Sequence, residues 1–136
     1  MTQSPLTIAR QLYATLESGQ YGEALDVLVH DNAELIEYPN LITPRGAKRG
    51  PKEMKESSER GAQLLRWQRY TVREAVEHGD TAIVRLTWTA EVARSVGPLQ
   101  AGQQLTAHIA QFIQCREGRI VKLETYDCYE PFTTQS

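Results

Sequence analysis

Residues 81–92 read TAIVRLTWTAEV, a stretch in which apolar and polar side chains alternate. Successive side chains of a β-strand point to opposite faces, so this pattern predicts a long strand with one apolar and one polar face. The apolar face carries Val84, Leu86, Trp88 and Ala90, and the other carries Arg85, Thr87, Thr89 and Glu91. Such a strand needs neighbouring strands and a layer that covers its apolar face.

The sequence after and before this strand predicts the neighbours. Three further strands are expected at residues 67–78, 103–116 and 119–129. In the first of them, Tyr70, Val72 and Val76 are expected to share one side. The dipeptides Gly79-Asp80 and Glu117-Gly118 predict tight turns, so all four strands are expected to be antiparallel.

The N-terminal half predicts the covering layer. Ser4 and Pro5 are typical of a helix start, and Gly19 is typical of its end. A second helix is expected over residues 21–29, a short strand over 33–38, a loop over 40–50 and a third helix from Gly50-Pro51. Helices that come early and strands that come late indicate an α+β fold, in which a bent sheet over three helices leaves a hollow suited to a ligand.

Composition excludes several classes of protein. The 136 residues fit one domain over residues 1–136, with a core at about 6–132. Lys and Arg number 15 against 17 Asp and Glu, a net charge of -2 that argues against a nucleic-acid partner. Cys115, Cys128 and the three histidines lack metal-ligand spacing, and no cofactor motif occurs. No signal segment or membrane-spanning run is present, so we expect a cytoplasmic protein with reduced thiols and no membrane partner.

Several short motifs occur in an order that resembles a known superfamily. They are Leu12-Tyr13-Ala14 with Gly19, Asp31-Asn32-Ala33, Glu37-Tyr38-Pro39, Arg49-Gly50-Pro51, His78-Gly79-Asp80 and the run 116–121, Arg-Glu-Gly-Arg-Ile-Val. From about residue 6 to 132 the chain resembles the nuclear transport factor 2-like superfamily, and within it SnoaL-like polyketide cyclases and ketosteroid isomerase-like proteins. The resemblance implies a cone-shaped, curved antiparallel sheet wrapped around three N-terminal helices, as in cystatin-like folds. It also implies a pocket inside the cone and a homodimer formed through the sheet face.

The same resemblance assigns positions to catalytic groups. Tyr13 falls where ketosteroid isomerases carry an oxyanion-binding tyrosine, but Tyr38 stands at the position of their aspartate base and Ala110 at that of their second acid. In the cyclases an acid/base aspartate lies on the last strand, where this chain has Thr125. Asp127 follows two residues later and is therefore expected on the same face.

Asp127 is the leading candidate for a catalytic base. Strand alternation places Leu123, Thr125 and Asp127 on one face. If that face lines the pocket, loss of solvent raises the pKa of Asp127 towards a value useful for a general base. The alternative is that Asp127 lies at a wet rim where the strand ends.

His108 is the second candidate. It shares a strand face with Ala110 and Phe112, while Ile109, Ile113 and Cys115 share the other. If the His108 face is inward, the imidazole could exchange protons with Asp127, and the other face would suit a homodimer. If the register differs by one residue, His108 lies at the interface instead.

Two hydroxyls and an apolar wall complete the predicted pocket. Tyr13 and Tyr38 could polarise a carbonyl, with Tyr38 facing in and Glu37 facing out; the alternative is that they are core residues whose hydroxyls reach a rim. The expected walls are Trp88, Leu86, Phe112, Met54, Leu123, Thr125 and Ala110. The basic loop at 45–49 could attract an anionic substrate.

Three functions follow from these features. The first is a cofactor-independent acid/base enzyme (an isomerase, cyclase, dehydratase or hydrolase) acting on a small apolar molecule that contains a carbonyl group. The second is a non-catalytic protein that binds or carries such a molecule. The third is a dimeric association module that works through its sheet face.

Overall fold

A computed structural model describes residues 3–20 and 22–132 and shows nine elements of secondary structure. In chain order they are α1 (Pro5–Ser18), α2 (Glu23–Asp26), β1 (Val29–Glu37), β2 (Ala47–Arg49), α3 (Pro51–Leu64), β3 (Leu65–His78), β4 (Thr81–Val92), β5 (Gln104–Arg116) and β6 (Arg119–Tyr129). The four long strands and both long helices lie within a few residues of their predicted positions. The α+β class expected from sequence is confirmed.

The six strands form one curved, unclosed sheet in the order β2-β1-β6-β5-β4-β3. Four of the five neighbouring pairs are antiparallel, and β1 pairs with β6 in parallel. This parallel pair joins the N-terminal strand to the centre of the sheet, an arrangement that the local sequence pattern did not predict. It places β1 directly beside the strand that carries Asp127.

Helix α1 fills part of the concave side. The Ser4 hydroxyl accepts the backbone N–H of Thr7 at 3.2 Å, which caps the helix, and Gly19 ends it with a φ of 74°. The inward stripe consists of Ile8, Ala9, Leu12 and Tyr13, all at most 4 % exposed. An apolar stripe at this spacing is buried because it packs against β3 and β4.

The central strands alternate as the sequence predicts. In β4 every second residue from Ala82 to Val92 is buried, including Leu86 and Trp88. In β5 the odd-numbered residues from Leu105 to Cys115 are buried. These side chains form the core between the sheet and the helices.

The region from residue 21 to 50 differs most from expectation. The second helix is only Glu23–Asp26, and β1 begins at Val29, inside the predicted helix; residue 21 lies outside the described residues. The predicted loop contains the short strand β2, which pairs with β1. Gly46 permits this pairing, because it has a φ of 69° and a Cβ there would lie 2.6 Å from the Glu37 carbonyl oxygen.

One predicted face of β3, the side expected to carry both Val72 and Val76, is wrong. Its pairing with β4 shifts by one residue between Val72 and Glu74. Such a bulge exchanges the two faces beyond it. As a result Ala75 packs against the core, whereas Val76, expected beside Val72, is 53 % exposed.

The two long helices have 14 residues each. Within residues 3–20 and 22–132, no helix is long and apolar enough to cross a membrane.

Candidate functional site

A cavity of about 380 Å³ lies between the concave face of the sheet and helices α1 and α3. Its walls are mainly apolar and include Leu12, Met54, Trp88, Leu105 and Leu123. This volume falls within the usual range for small-molecule sites and suits a ligand of ring size.

A line of hydrogen bonds runs along the sheet side of the cavity and ends at Asp127. The Tyr13 hydroxyl donates to Gln111 Oε1 at 2.7 Å, and Gln111 Nε2 donates to Thr125 Oγ1 at 3.1 Å. The Thr125 hydroxyl in turn donates to Asp127 Oδ1 at 2.5 Å. Tyr13, Gln111 and Thr125 are buried, and Asp127 is half-buried. Every donor points towards the carboxylate, so the line fixes the orientation of Asp127.

The surroundings of Asp127 favour proton exchange. Burial raises the pKa of Asp127 above its ordinary value, and the charge of nearby Glu37 raises it further. The hydrogen bond from Thr125 acts in the opposite direction but does not cancel the increase. A carboxyl group with a raised pKa exchanges protons more readily near neutral pH than a fully solvated one.

Glu37 is the second carboxylate of the cavity, and its surroundings differ. Arg49 Nη1 donates to Glu37 Oε1 at 2.7 Å, and Asn40 Nδ2 donates to Glu37 Oε2 at 2.8 Å. Although burial raises the pKa of Glu37, hydrogen bonds from Arg49, Asn40 and Thr43 outweigh it and hold the pKa below its ordinary value. Glu37 therefore remains ionised and serves as a fixed negative charge, while Asp127 is the carboxyl group suited to exchange a proton.

Aromatic rings and one amide organise a further part of the cavity wall. Trp88 Nε1 donates to Gln68 Oε1 at 3.0 Å, and the Tyr70 ring stacks on Tyr13 with centroids 5.1 Å apart. The Trp88 and Tyr129 rings meet edge to face at 6.0 Å. These contacts fix the walls around the space in which a ligand ring would lie.

The mouth of the cavity lies between two loops. Ile42 comes from the segment between β1 and β2, and Val96 comes from the segment between β4 and β5. Both line the cavity, and they are 45 % and 44 % exposed. Apolar side chains that are both exposed and cavity-lining mark an entrance that favours apolar ligands.

The structure brings six of the predicted site residues together. These residues are Tyr13, Met54, Trp88, Leu123, Thr125 and Asp127. All six line the cavity, and their roles as catalytic or ligand-binding residues stay predictions. Leu86 points to the same side of the sheet but is buried in the core without lining the cavity.

His108, Ala110 and Phe112 lie on the convex face, outside the cavity. His108 Nε2 lies 2.9 Å from Glu130 Oε2, and both side chains are more than half exposed. Ile109, Ile113 and Cys115, which were expected to face a partner subunit, are instead buried in the core. The inward alternative for His108 is therefore wrong.

A β-bulge in the pairing of β5 with β6 explains why His108 does not share a face with Asp127. At the Glu117-Gly118 turn Arg116 pairs with Arg119 and Cys115 with Ile120, but Gln114 pairs with Lys122. The extra residue shifts the register, so that Asp127 pairs with Ile109 rather than with His108.

Tyr38 and Glu37 also lie on the sides of the sheet opposite to those expected. Tyr38 lies on the convex side, where it stacks on Tyr126 at 4.4 Å and donates to Glu124 Oε2 at 2.6 Å. Glu37 lines the cavity. The cause is the pairing of β1 with β6, in which Glu37 lies beside Thr125, a residue of the concave face.

Gln111 was not among the predicted site residues, Glu37 was expected to face outward, and Arg49 was considered only as part of the basic loop. A glutamine in the middle of an apolar strand was an available signal, because a buried amide needs partners. Arg49 was grouped with the basic loop, whose Arg45 and Lys48 are exposed in the structure.

Within the described ranges, no group of three or more His, Cys, Asp and Glu side chains is placed to hold a metal ion. Cys115 is buried and Cys128 is exposed, and neither forms a disulfide with a described residue.

Comparison with known structures supports the fold. The chain aligns with IdmH from Streptomyces antibioticus, provisionally assigned as a polyketide cyclase, at 20% identity over 92% of both chains and a TM-score of 0.78. It aligns with a SnoaL-like polyketide cyclase from Agrobacterium tumefaciens at 14% identity over 93% of this chain and 92% of that one, with a TM-score of 0.70. A protein of ketosteroid isomerase-like fold from Catenulispora acidiphila, solved with trimethylamine, matches at 16% identity over 91% and 86%, with a TM-score of 0.69.

The family is shown by sequence. No curated protein has significant sequence similarity to the chain. The sequence profile of the SnoaL-like domain, however, matches residues 9–123, which span most of the 136 residues and include the cavity-lining segments up to Leu123. The chain therefore belongs to the SnoaL-like domain family.

Proposed function

We propose that this protein is a cofactor-free acid/base enzyme, a cyclase or isomerase, acting on a small and largely apolar molecule that contains a carbonyl group. The observation that carries the proposal is the position of Asp127. Its carboxylate lies in an apolar cavity at the end of the hydrogen-bond line from Tyr13. Polyketide cyclases among its structural relatives are consistent with this chemistry.

The chemistry begins with Asp127 as a base. Its carboxylate removes a proton from the carbon next to the substrate carbonyl, and the C–H electron pair moves to form an enolate. The enolate carbon then attacks a second carbonyl of the same molecule, or accepts the proton at another position. The first outcome is cyclisation and the second is isomerisation. Asp127 returns its proton in either case, so the reaction is balanced without a further reagent.

Substrate shape follows from the walls and the mouth. Apolar side chains such as Leu12, Met54 and Trp88 suit a ring or a short hydrocarbon skeleton. The entrance near Ile42 and Val96 accepts an apolar body without requiring a charged guide.

A hydrogen–deuterium exchange experiment tests the proposal without knowledge of the natural substrate. The probe is 2-tetralone, a ring-sized ketone with exchangeable hydrogens next to its carbonyl, and exchange in D₂O is followed by proton NMR. The wild-type protein should accelerate exchange over buffer, and Asp127→Asn should reduce the rate by about a hundredfold or more.

Two matched variants serve as controls. Asp31→Asn makes the same chemical change at a side chain that is 91 % exposed, and His108→Ala removes the imidazole of the convex face. Both should exchange within about twofold of wild type, because neither residue lies in the cavity. Full exchange by Asp127→Asn, or its loss in His108→Ala, would contradict the proposal.

A non-catalytic binding protein is the second candidate. It is favoured by the Tyr13 hydroxyl, which donates to Gln111 inside the protein and is not presented to a carbonyl. Saturable binding of 2-tetralone by the wild type, with exchange no faster than in buffer, would support this candidate over the enzyme.

A further inference from the structure

Arg49 is the one basic side chain among the described residues that line the cavity. It is the last residue of β2, directly before the N-terminal end of α3, and its side chain is 20 % exposed. A guanidinium is always charged and carries five N–H donors, so its position in an apolar cavity requires partners.

The hydrogen bond to Glu37 uses only part of the hydrogen-bonding capacity of the Arg49 guanidinium. Arg49 Nη1 donates to Glu37 Oε1, and no other hydrogen bond joins its guanidinium to residues 3–20 or 22–132. Arginine–carboxylate pairs are frequently bidentate, but here Asn40 occupies the second oxygen of Glu37. Because only Nη1 of Arg49 is bonded to Glu37, the other donors of its guanidinium are available in a half-buried position.

Arg49 and Asp127 belong to the same end of the cavity. In the β1–β6 register Glu37 lies beside Thr125, and the Thr125 hydroxyl donates to Asp127. A substrate whose reacting carbon lies at Asp127 would thus place a neighbouring oxygen near the Glu37–Arg49 pair. Tyr13 does not compete for that oxygen, because its hydroxyl proton is directed to Gln111.

We propose that Arg49 binds a negatively charged oxygen of the substrate. This deepens the proposed function and rests on it for the position of the reacting carbon. The substrate class becomes a ring-sized apolar molecule whose oxygen is anionic, either permanently as a carboxylate or during the reaction as an enolate. Glu37 positions the guanidinium and does not contact the substrate.

The first experiment uses isothermal calorimetry at pH 7 to measure the binding of two ligands of nearly equal size, the anion 2-naphthoate and the neutral 2-naphthamide. Wild type should bind the carboxylate about tenfold or more tightly than the amide, as expected for a charge-assisted hydrogen bond in a partly buried site. Arg49→Gln should remove this preference. Arg45→Gln, which removes an exposed guanidinium outside the cavity and leaves Arg49 intact, should retain it and serves as the matched control.

The second experiment distinguishes the two sources of negative charge. The probe is 4-nitrophenol, whose phenolate resembles an enolate and has its own absorbance band. Wild type should lower the pKa of the bound phenol relative to the free one, and Arg49→Gln should not. A lowered phenol pKa together with preference for naphthoate assigns a general anion subsite. A preference for naphthoate alone assigns a substrate with a permanent carboxylate.

The proposal would be overturned by equal affinity of wild type for the acid and the amide, by failure of both to bind, or by a preference that survives in Arg49→Gln. Since loss of Arg49 leaves Glu37 with fewer donors, Arg49→Gln/Glu37→Gln provides a second variant in which no charge is left unpaired. Asp127 is intact in every binding measurement. Failure of the anion subsite is therefore distinguishable from failure of Asp127-dependent exchange.

Discussion

The two faces of the sheet carry similar polar side chains in different surroundings. On the concave side, Tyr13 of helix α1 and Asp127 of β6 are the ends of a hydrogen-bond line inside a cavity. On the convex face, Tyr38 donates to Glu124, and His108 meets Glu130 where both are more than half exposed. A tyrosine, an acid and a histidine thus occur together on the face without the cavity. Burial, rather than residue type, therefore determines which acid is suited to proton transfer.

Two adjacent residues of β5 provide the strongest test of the difference in burial between the two faces. Ile113 is fully buried on the concave side, and Phe112 is 38 % exposed on the convex side. Ile113→Asp places a charge in the core and should cost about 4 kcal/mol or more of unfolding free energy. Phe112→Asp makes the same change in charge and should cost less than about 1 kcal/mol. Urea denaturation of both variants measures the difference.

Equal destabilisation by the two variants would show that the faces are not distinct. The homodimer was expected to use Ile109, Ile113 and Cys115, which are buried, so a dimer through the sheet would instead have to use the convex face, where Phe112 and Tyr126 are exposed. The dimer stays a prediction, and light scattering of wild type and Phe112→Asp checks it.

Local patterns in the sequence were sufficient for most of the fold. Alternation along residues 81–92 predicted β4 and its buried face, and Ser4, Pro5 and Gly19 predicted both ends of α1. The parallel pairing of β1 with β6 was not predicted, because it joins residues that lie far apart in the chain and leaves no local signal. The α2 region was overestimated, since a short apolar run fits a helix turn and a strand start equally well.

The residues of the candidate site were predictable only where the alternation of side chains along a strand is not interrupted by a bulge. Leu123, Thr125 and Asp127 share a face with no irregularity between them, and all three line the cavity. The side of His108 stayed open between two alternatives, because the relative register of β5 and β6 depends on a one-residue bulge near Cys115. A bulge of this kind depends on packing around the whole hairpin and leaves no signal in residue type.

A pair of tyrosine variants gives a second and smaller test. Tyr13→Phe removes the donor to Gln111 Oε1, which is buried, and should cost about 1–3 kcal/mol of unfolding free energy. Tyr38→Phe removes the donor to Glu124, whose carboxylate can still reach water, and should cost clearly less. Thermal and urea unfolding of the two variants measure the difference, and a larger loss in Tyr38→Phe would contradict the assignment of the faces.

The smallest expected effect concerns the hydrogen bond from Thr125 to Asp127. This bond lowers the pKa of Asp127 against the increase caused by burial. Thr125→Val removes the donor, so the pKa should rise further above its ordinary value. Because the base acts when it is ionised, the rising limb of the exchange rate should move to higher pH. Carbon-13 NMR titration of the Asp127 carboxyl measures the same change without turnover, and Thr125→Ser, which keeps a hydroxyl, should stay close to wild type.

The stability of the protein should change with pH in the corresponding direction. A carboxyl group whose pKa is higher in the folded than in the unfolded state favours folding below its unfolded pKa. That contribution is lost as pH rises through the folded pKa. The unfolding free energy of wild type relative to Asp127→Asn should therefore decrease from about pH 4 towards neutral pH, and the decrease should extend to higher pH in Thr125→Val than in Thr125→Ser. A pH-independent difference would show that Asp127 is as solvated as the acids of the convex face, and the contrast between the two faces would no longer hold.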